Sequence, residues 1–230
     1  MSVKKSPALT VTLDSGIVIE YPPQLDGGGL EQRFDFLNAI QKSGKTKYQR
    51  TFEWCAGFGV IGFEILGQGL TEELYFSDCF ELAVQNCMSV AQRNNIDNRV
   101  FSYLSSTIEN LPKTELWDLV VANPPHHSNK QNFINGLMEY GNHQDVSELT
   151  DLDVAIRITV DEDLNIHKEF FRNIQSRLTD NADIFISATE PPELITAIAN
   201  KNNFQLIEEH PSSFNNGYSS ILQYRFKNDN

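Results

Sequence analysis

Residues 51–66 read TFEWCAGFGVIGFEIL, and this stretch decides the fold. Its first five residues have the composition of a short buried strand, and its last residues have that of a helix. Between them, Gly57, Gly59 and Gly62 follow the G-x-G-x-x-G pattern, in which glycine permits a tight turn and a close approach of the backbone to a ligand. The stretch therefore predicts a strand, a ligand-binding loop and a helix in an α/β sheet.

Two acidic residues indicate which kind of ligand the loop binds. Glu53 lies in the strand ahead of the glycines, where a carboxylate favours a ligand that carries an ammonium or sulfonium group over a phosphate. Asp78 follows the next predicted strand and can accept hydrogen bonds from both hydroxyls of a ribose. Asp78 can also cap the following helix, and its two oxygens allow both roles.

A second motif, Asn123-Pro124-Pro125, follows the apolar residues 119–122. Proline has no backbone N–H, so the motif ends the predicted strand while it keeps rigid carbonyl acceptors. With the side-chain oxygen of Asn123, these acceptors suit a target that donates two hydrogens, such as an –NH2 group. The alternative interpretation is a turn that only stops the strand.

In order and spacing, these motifs resemble those of class I methyltransferases that use S-adenosylmethionine, over about residues 50–126. The Asn123-Pro124-Pro125 element resembles the branch that methylates exocyclic amines of adenine or guanine, or the side-chain amide of glutamine. The resemblance implies a Rossmann-like α/β fold, with a seven-stranded, mostly parallel sheet and helices on both faces. It also implies a methyltransferase whose cofactor is S-adenosylmethionine and whose acceptor is a protein, an RNA or a small molecule.

The resemblance also implies the residues of the site. Asn123 and the Pro124 carbonyl would accept the two hydrogens of the target nitrogen, and His126 would stack on the target or take up the released proton. The implied catalytic residues are Asn123, Pro124, Pro125 and His126. The implied cofactor-binding residues are Glu53, Cys55, Ala56, Gly57, Gly59, Asp78, Cys79, Ser106, Thr107 and Asn123.

Three positions depart from the family pattern. Cys55 replaces the first loop glycine, Ser106 replaces an acidic residue often found after the third strand, and His126 replaces an aromatic residue after the prolines. These departures leave open the alternative that the protein has the methyltransferase fold and binds the cofactor but does not catalyse methyl transfer. An NAD-binding Rossmann enzyme is a further alternative, which Glu53 and the proline motif disfavour.

The chain divides into an N-terminal extension and a core. Residues 1–45 predict a β-hairpin and a helix, with Leu30, Phe34, Leu37 and Ile40 on the buried helix face. Residues 46–230 predict the methyltransferase domain, in which residues 128–160 form an insertion that acts as an acceptor-recognition lid. The predicted core strands lie near 51–55, 73–77, 99–104, 117–122, 183–188, 204–209 and 218–226.

The composition restricts the partners. A net charge of −13 disfavours duplex DNA, because a groove for long nucleic acid usually brings a basic surface. The one basic cluster, at residues 42–50, is interpreted as a solvated linker. The five histidines lack the spacing of a metal site, so no metal is expected.

Cysteine usage and hydropathy indicate the compartment. The three cysteines form no C-x-x-C pattern, which favours reduced thiols over a disulfide or a metal site. The sequence shows no apolar run that could span a bilayer and no signal peptide at its start. We therefore expect a cytoplasmic protein with no membrane partner.

Overall fold

The computed structural model describes residues 7–26, 29–125, 127–131, 156, 159–189, 191–213 and 219–227. The strands are β1 (Leu9–Thr12), β2 (Val18–Tyr21), β3 (Tyr48–Trp54), β4 (Thr71–Asp78), β5 (Val100–Leu104), β6 (Trp117–Ala122), β7 (Leu178–Ala188), β8 (Phe204–Pro211) and β9 (Ser220–Phe226). The helices are α1 (Gly29–Lys42), α2 (Val60–Gly67), α3 (Glu81–Arg93), α4 (Asn165–Asn173) and α5 (Pro192–Lys201).

The described core is a seven-stranded sheet in the order β5-β4-β3-β6-β7-β9-β8. Strands β3 to β7 pair in parallel, and β9 runs antiparallel to both of its neighbours. The central strands are apolar and buried on both faces, as a parallel sheet between helices requires. The predicted α/β fold is therefore confirmed.

Helices cover both faces of the sheet. One hydrophobic cluster joins α1, α2 and α3 to the sheet through residues such as Phe36, Phe63 and Phe76. The cluster on the opposite face joins α4 and α5 to it through residues such as Phe170 and Ile195. Because βα units alternate along the chain, the loops that follow β3, β4 and β6 meet at one edge of the sheet.

The N-terminal hairpin packs beside the glycine loop. The Val18 N–H donates to Asn94 Oδ1 at 2.9 Å, and the Asn94 amide donates back to the Val18 carbonyl at 2.9 Å, which attaches β2 to the end of α3. The Tyr21 ring stacks on Phe58 in the loop, with 4.0 Å between ring centroids. The division of the chain at residue 45 stays a prediction.

The buried face of α1 differs from the predicted one at Phe34, which is 43% exposed, whereas Phe36 is fully buried. Successive residues turn by about 100° in a helix, so these two side chains lie on nearly opposite faces. The guanidinium of Arg33 lies 3.9 Å from the centre of the Phe34 ring and covers part of it.

The spacing of the apolar residues Leu164, Phe170, Phe171 and Ile174 predicts a helix over about residues 162–178, and the structure interrupts it. Asp163 and Leu164 have φ angles of 57° and 55°, a left-handed conformation that no α-helix of L-residues contains. A 3₁₀ turn at Glu162–Leu164 therefore precedes α4. A second 3₁₀ turn, at Ile174–Arg177, follows it. Most of the predicted lid, residues 132–155 and 157–158, lies outside the described residues, so the lid stays a prediction.

Candidate functional site

A cavity of about 230 Å³ opens at the carboxyl ends of β3, β4 and β6. It brings together residues that lie far apart in the sequence. Eight of the predicted cofactor-binding residues line it: Glu53, Cys55, Ala56, Gly57, Asp78, Cys79, Ser106 and Asn123. The predicted catalytic residue Pro125 also lines it, whereas Gly59, Thr107 and Pro124 do not, and His126 lies outside the described residues.

Two positions of the loop require glycine, because the backbone has a positive φ angle there and a side chain would not fit. Gly57 has a φ of +55°, and a Cβ there would lie 2.8 Å from the Leu25 carbonyl oxygen. Gly59 has a φ of +76°, and a Cβ there would lie 2.9 Å from Cys87 Sγ. A side chain at either position would meet its neighbours and strain the backbone, so glycine keeps the loop tight against the cavity.

The third glycine of the loop, Gly62, hydrogen-bonds the carboxyl group of Glu53. The Gly62 N–H donates to Glu53 Oε2 at 2.6 Å, and a Cβ on Gly62 would lie 2.6 Å from the same oxygen. Glu53 is only 2% exposed. Burial raises the pKa of its carboxyl to about 8; the Gly62 hydrogen bond opposes this rise, and the nearby charge of Asp78 adds to it. Without a ligand, Glu53 is therefore mostly protonated at neutral pH.

A cationic ligand should ionise Glu53, because a positive charge nearby stabilises the carboxylate. We expect S-adenosylmethionine to release a proton from Glu53 on binding at pH 7, and the affinity to rise between pH 6 and pH 8. In the ligand-free protein, a carboxyl pKa raised from 4.5 to about 8 lowers the free energy of unfolding progressively as pH rises through that interval. Calorimetry in buffers of different ionisation enthalpy measures the proton release.

The matched variant for this prediction is Glu53→Gln, which keeps the shape of the side chain and cannot ionise. Its proton release and its loss of stability with rising pH should both be smaller than in the wild type. Equal proton release by the two proteins would show that Glu53 stays protonated in the complex.

Asp78 connects the two loops at the cavity. Its Oδ2 accepts the Gly57 N–H at 2.9 Å, and its Oδ1 accepts the Phe80 N–H at 2.9 Å. Helix α3 is preceded by Phe80 as its N-cap residue, so Asp78 closes the turn before the helix rather than capping it. The backbone N–H and the thiol of Cys79 also hydrogen-bond this carboxylate. A ligand hydroxyl would compete with the thiol, which is a weak donor, for its oxygens.

The cysteine that replaces the first loop glycine adopts a glycine-like backbone. Cys55 has a φ of +56°, which costs roughly 1–2 kcal/mol for a residue with a Cβ. Burial raises the pKa of its thiol well above the ordinary value, so the thiol stays protonated and is not a ready nucleophile. The described residues contain no group of three or more side chains arranged to hold a metal ion.

The Asn123-Pro124-Pro125 turn continues β6 at the centre of the sheet. The last residue of β6, Ala122, pairs with Trp54 on β3 and with Ile186 on β7. Pro124 and Pro125 are buried, and Asn123 is half-buried. Strands on both sides thus fix the direction of this turn toward the cavity.

An acid that the sequence analysis did not single out, Asp161, anchors the chain beyond this turn. Its N–H donates to the His127 carbonyl at 3.0 Å, and its carboxylate accepts the backbone N–H groups of Ile166 and His167 at 2.8 and 3.1 Å. His167 Nδ1 lies 2.7 Å from the same carboxylate. An acid just before the predicted helix is typical of a helix start, and this signal was available in the sequence.

Residues outside the motifs complete the cavity wall. Leu25 and Gly29 reach it from the N-terminal extension, and Ile166 reaches it from α4. Asp161 therefore fixes the element that carries Ile166, and the Tyr21–Phe58 stack fixes the extension against the loop. The Tyr21–Phe58 stack has no local sequence signal, because it joins segments that are distant along the chain. The Asp161 contact, by contrast, spans only five residues.

Comparison with known proteins finds a family match over part of the chain. The family model of the methyltransferase small domain matches residues 36–143, a segment that includes the glycine loop, Asp78 and the Asn123 turn. No curated protein matches the chain.

Solved structures share the fold at low identity. A ribosomal protein L11 methylase from Lactobacillus delbrueckii subsp. bulgaricus has a TM-score of 0.60 at 13% identity, over 88% of this chain and 81% of its own. The N-methyltransferase NodS from Bradyrhizobium japonicum WM9, in complex with S-adenosyl-L-homocysteine, has a TM-score of 0.57 at 12% identity, over 90% and 92%. The tRNA methyltransferase TrmK of B. subtilis has a TM-score of 0.54 at 9% identity, over 84% and 65%.

The structural likeness establishes the Rossmann-like methyltransferase fold, and residues 36–143 match the methyltransferase small domain. No helix in the described part of the chain is both long and apolar enough to cross a membrane.

Proposed function

We propose that this protein is an S-adenosylmethionine-dependent methyltransferase that transfers a methyl group to an amide or exocyclic amine nitrogen of a protein, RNA or small-molecule acceptor. The observation that carries the proposal is the shared cavity: Asn123 and Pro125 line the same space as Glu53 and Asp78. The acceptor-side motif thus lies within reach of the groups that suit the cofactor. Three free cysteines support a reducing, cytoplasmic compartment.

The residues present fit S-adenosylmethionine. Gly57 leaves the loop backbone bare beside the cavity, where a Cβ would clash. The acidic side chains that line the cavity are Glu53, which a cation would ionise, and Asp78; they suit an ammonium or sulfonium group and a ribose. Ser106, which also lines the cavity, would lie near the adenine. When bound, the cofactor supplies an electrophilic methyl group on a cationic sulfur.

The Asn123 turn would prepare the acceptor nitrogen. An amide or aryl amine is a poor nucleophile because its lone pair is delocalised. Asn123 Oδ1 and the Pro124 carbonyl would accept its two hydrogens, which turns the lone pair toward the cavity and favours tetrahedral geometry. These hydrogen bonds strengthen as positive charge develops on the nitrogen. Fixing the two reactants in this geometry contributes several kcal/mol, on the order of 7–11 at most.

The test is the chemical identity of the methylated product. The protein is incubated with methyl-labelled S-adenosylmethionine and a protein extract, and in a second reaction with the same cofactor and an RNA extract. The labelled products are then hydrolysed to single residues. We expect the label on an amide or exocyclic amine nitrogen. Label on oxygen, carbon or sulfur would contradict the proposal. Stabilisation by S-adenosylmethionine without any labelled product would support the alternative of binding without turnover.

A further inference from the structure

The loop that follows β5 carries two residues of the cavity wall, Ser105 and Ser106. The Ser105 N–H donates to the carbonyl of Asp78 at 2.9 Å, so the loop begins beside the proposed ribose acceptor. Strand β4 lies between β5 and β3 in the sheet, so this loop and the glycine loop flank Asp78 on opposite sides. Because the glycine loop suits the amino-acid end of the cofactor, the loop after β5 is the part of the wall left for the adenine.

A side chain 61 positions later in the chain holds this loop two residues beyond Ser106. Glu169 Oε1, on α4, accepts the backbone N–H of Ile108 at 3.0 Å. Ile108 itself is fully buried, so water does not compete for this hydrogen bond. The segment next to Ser106 is therefore attached to α4 by a charged acceptor.

The far end of the loop is fixed by Arg177, in the 3₁₀ turn after α4. Arg177 is only 2% exposed, and its guanidinium donates to the carbonyls of Ile108 at 3.3 Å, of Leu111 at 2.6 Å and of Pro112. Movement of the loop would break these hydrogen bonds and leave a buried charge without partners. The contact with Glu169 thus acts on a loop whose other end is already immobile.

Glu169 lies on the cavity side of its helix. Ile166, three residues earlier, lies on the same helix face and lines the cavity. Glu169 is not among the described residues that line the cavity, so it acts on a ligand only through the loop. The alternative is that Glu169 only stabilises α4, since the side-chain amide of Asn173 also donates to its Oε1, at 2.9 Å.

We propose that Glu169 is a positioning residue for the adenine of the cofactor; this rests on the proposed function. By fixing the backbone at Ile108, it holds Ser105 and Ser106 in place beside the base. Polar groups that are fixed in advance favour the base whose hydrogen-bonding edge matches them, because a mismatched base leaves them unpaired. Glu169 would therefore determine how well the site distinguishes adenine from other bases.

The test compares the dissociation constants of S-adenosyl-L-homocysteine and S-inosyl-L-homocysteine, in which an oxo group replaces the amino group of the adenine. Calorimetry is done well below the unfolding temperature of each variant. We expect the wild type to prefer the adenine ligand by about three- to tenfold. Glu169→Ala should weaken binding of the adenine ligand by a similar factor and reduce the preference to less than about twofold, because the loop is no longer held beside the base.

The conservative variant Glu169→Gln should restore the preference, because the amide oxygen can accept the Ile108 N–H. Two controls should keep the wild-type preference. Asn173→Ala removes the other hydrogen-bond partner of Glu169 Oε1, and Glu109→Ala removes an exposed acid from the same loop.

Three results would overturn the inference: equal weakening of both ligands by Glu169→Ala, which a purely structural role produces, an unchanged preference in that variant, or no preference in the wild type. Each of these results, with S-adenosyl-L-homocysteine still bound by the wild type, would count against the role of Glu169 alone. No binding of S-adenosyl-L-homocysteine by the wild type would overturn the proposed function, and this inference with it.

Discussion

Replacement of Asn123 by alanine is expected to lower the rate of methyl transfer by about two to three orders of magnitude, the scale seen when one preorganised polar partner of a transition state is removed. The Asn123 oxygen would accept a hydrogen from the target nitrogen, and this bond strengthens as the nitrogen becomes cationic. An interaction of this kind affects turnover more than ground-state binding. Cofactor affinity should therefore change little.

The matched control for this prediction is Asn98→Ala, because Asn98 is an exposed asparagine in the loop before β5. Turnover with saturating cofactor and a fixed acceptor separates the two variants, and thermal denaturation checks that both fold. Wild-type turnover in Asn123→Ala would exclude the amide-or-amine mechanism, although the protein would remain a methyltransferase.

Replacement of Asp78 by alanine is expected to weaken S-adenosylmethionine binding by about 10- to 100-fold. A hydrogen bond to a charged group contributes roughly 1.5–3 kcal/mol, and a factor of ten in affinity corresponds to about 1.4 kcal/mol. The change removes the proposed ribose acceptor. It also frees the Gly57 and Phe80 N–H groups that the carboxylate now holds at 2.9 Å each.

Calorimetry of three variants separates these two contributions. Asp78→Asn keeps one acceptor oxygen and should lose less affinity than Asp78→Ala, while Asp97→Ala at an exposed position should lose none. Unchanged affinity in Asp78→Ala would remove Asp78 from the cofactor site.

The sheet could be predicted from the sequence because its signals are local. Apolar runs such as residues 119–122 are long enough to indicate buried strands, and the Gly57–Gly59–Gly62 spacing marks the first strand–loop–helix unit. Their alternation with helices implies parallel pairing and a ligand site at the carboxyl ends of the strands. The order of the seven strands and the antiparallel direction of β9 do not follow from these local signals.

Other features depend on contacts between distant segments. Phe34 fits a buried helical face by spacing, but the interface of α1 with the sheet selects Phe36 and leaves Phe34 43% exposed. The cavity wall at Leu25 depends on the Tyr21–Phe58 stack, which joins two segments far apart in the chain. No periodicity within one element encodes these pairings, so the sequence alone does not predict them.

The most direct test of the central claim is a crystal structure of the protein with S-adenosyl-L-homocysteine. We predict that the ligand occupies the cavity at the carboxyl ends of β3 and β4, with its ribose hydroxyls on Asp78 and its sulfur facing the Asn123 turn. A ligand bound outside this cavity, or one that places its adenine beside Asn123, would contradict the assignment of the acceptor site.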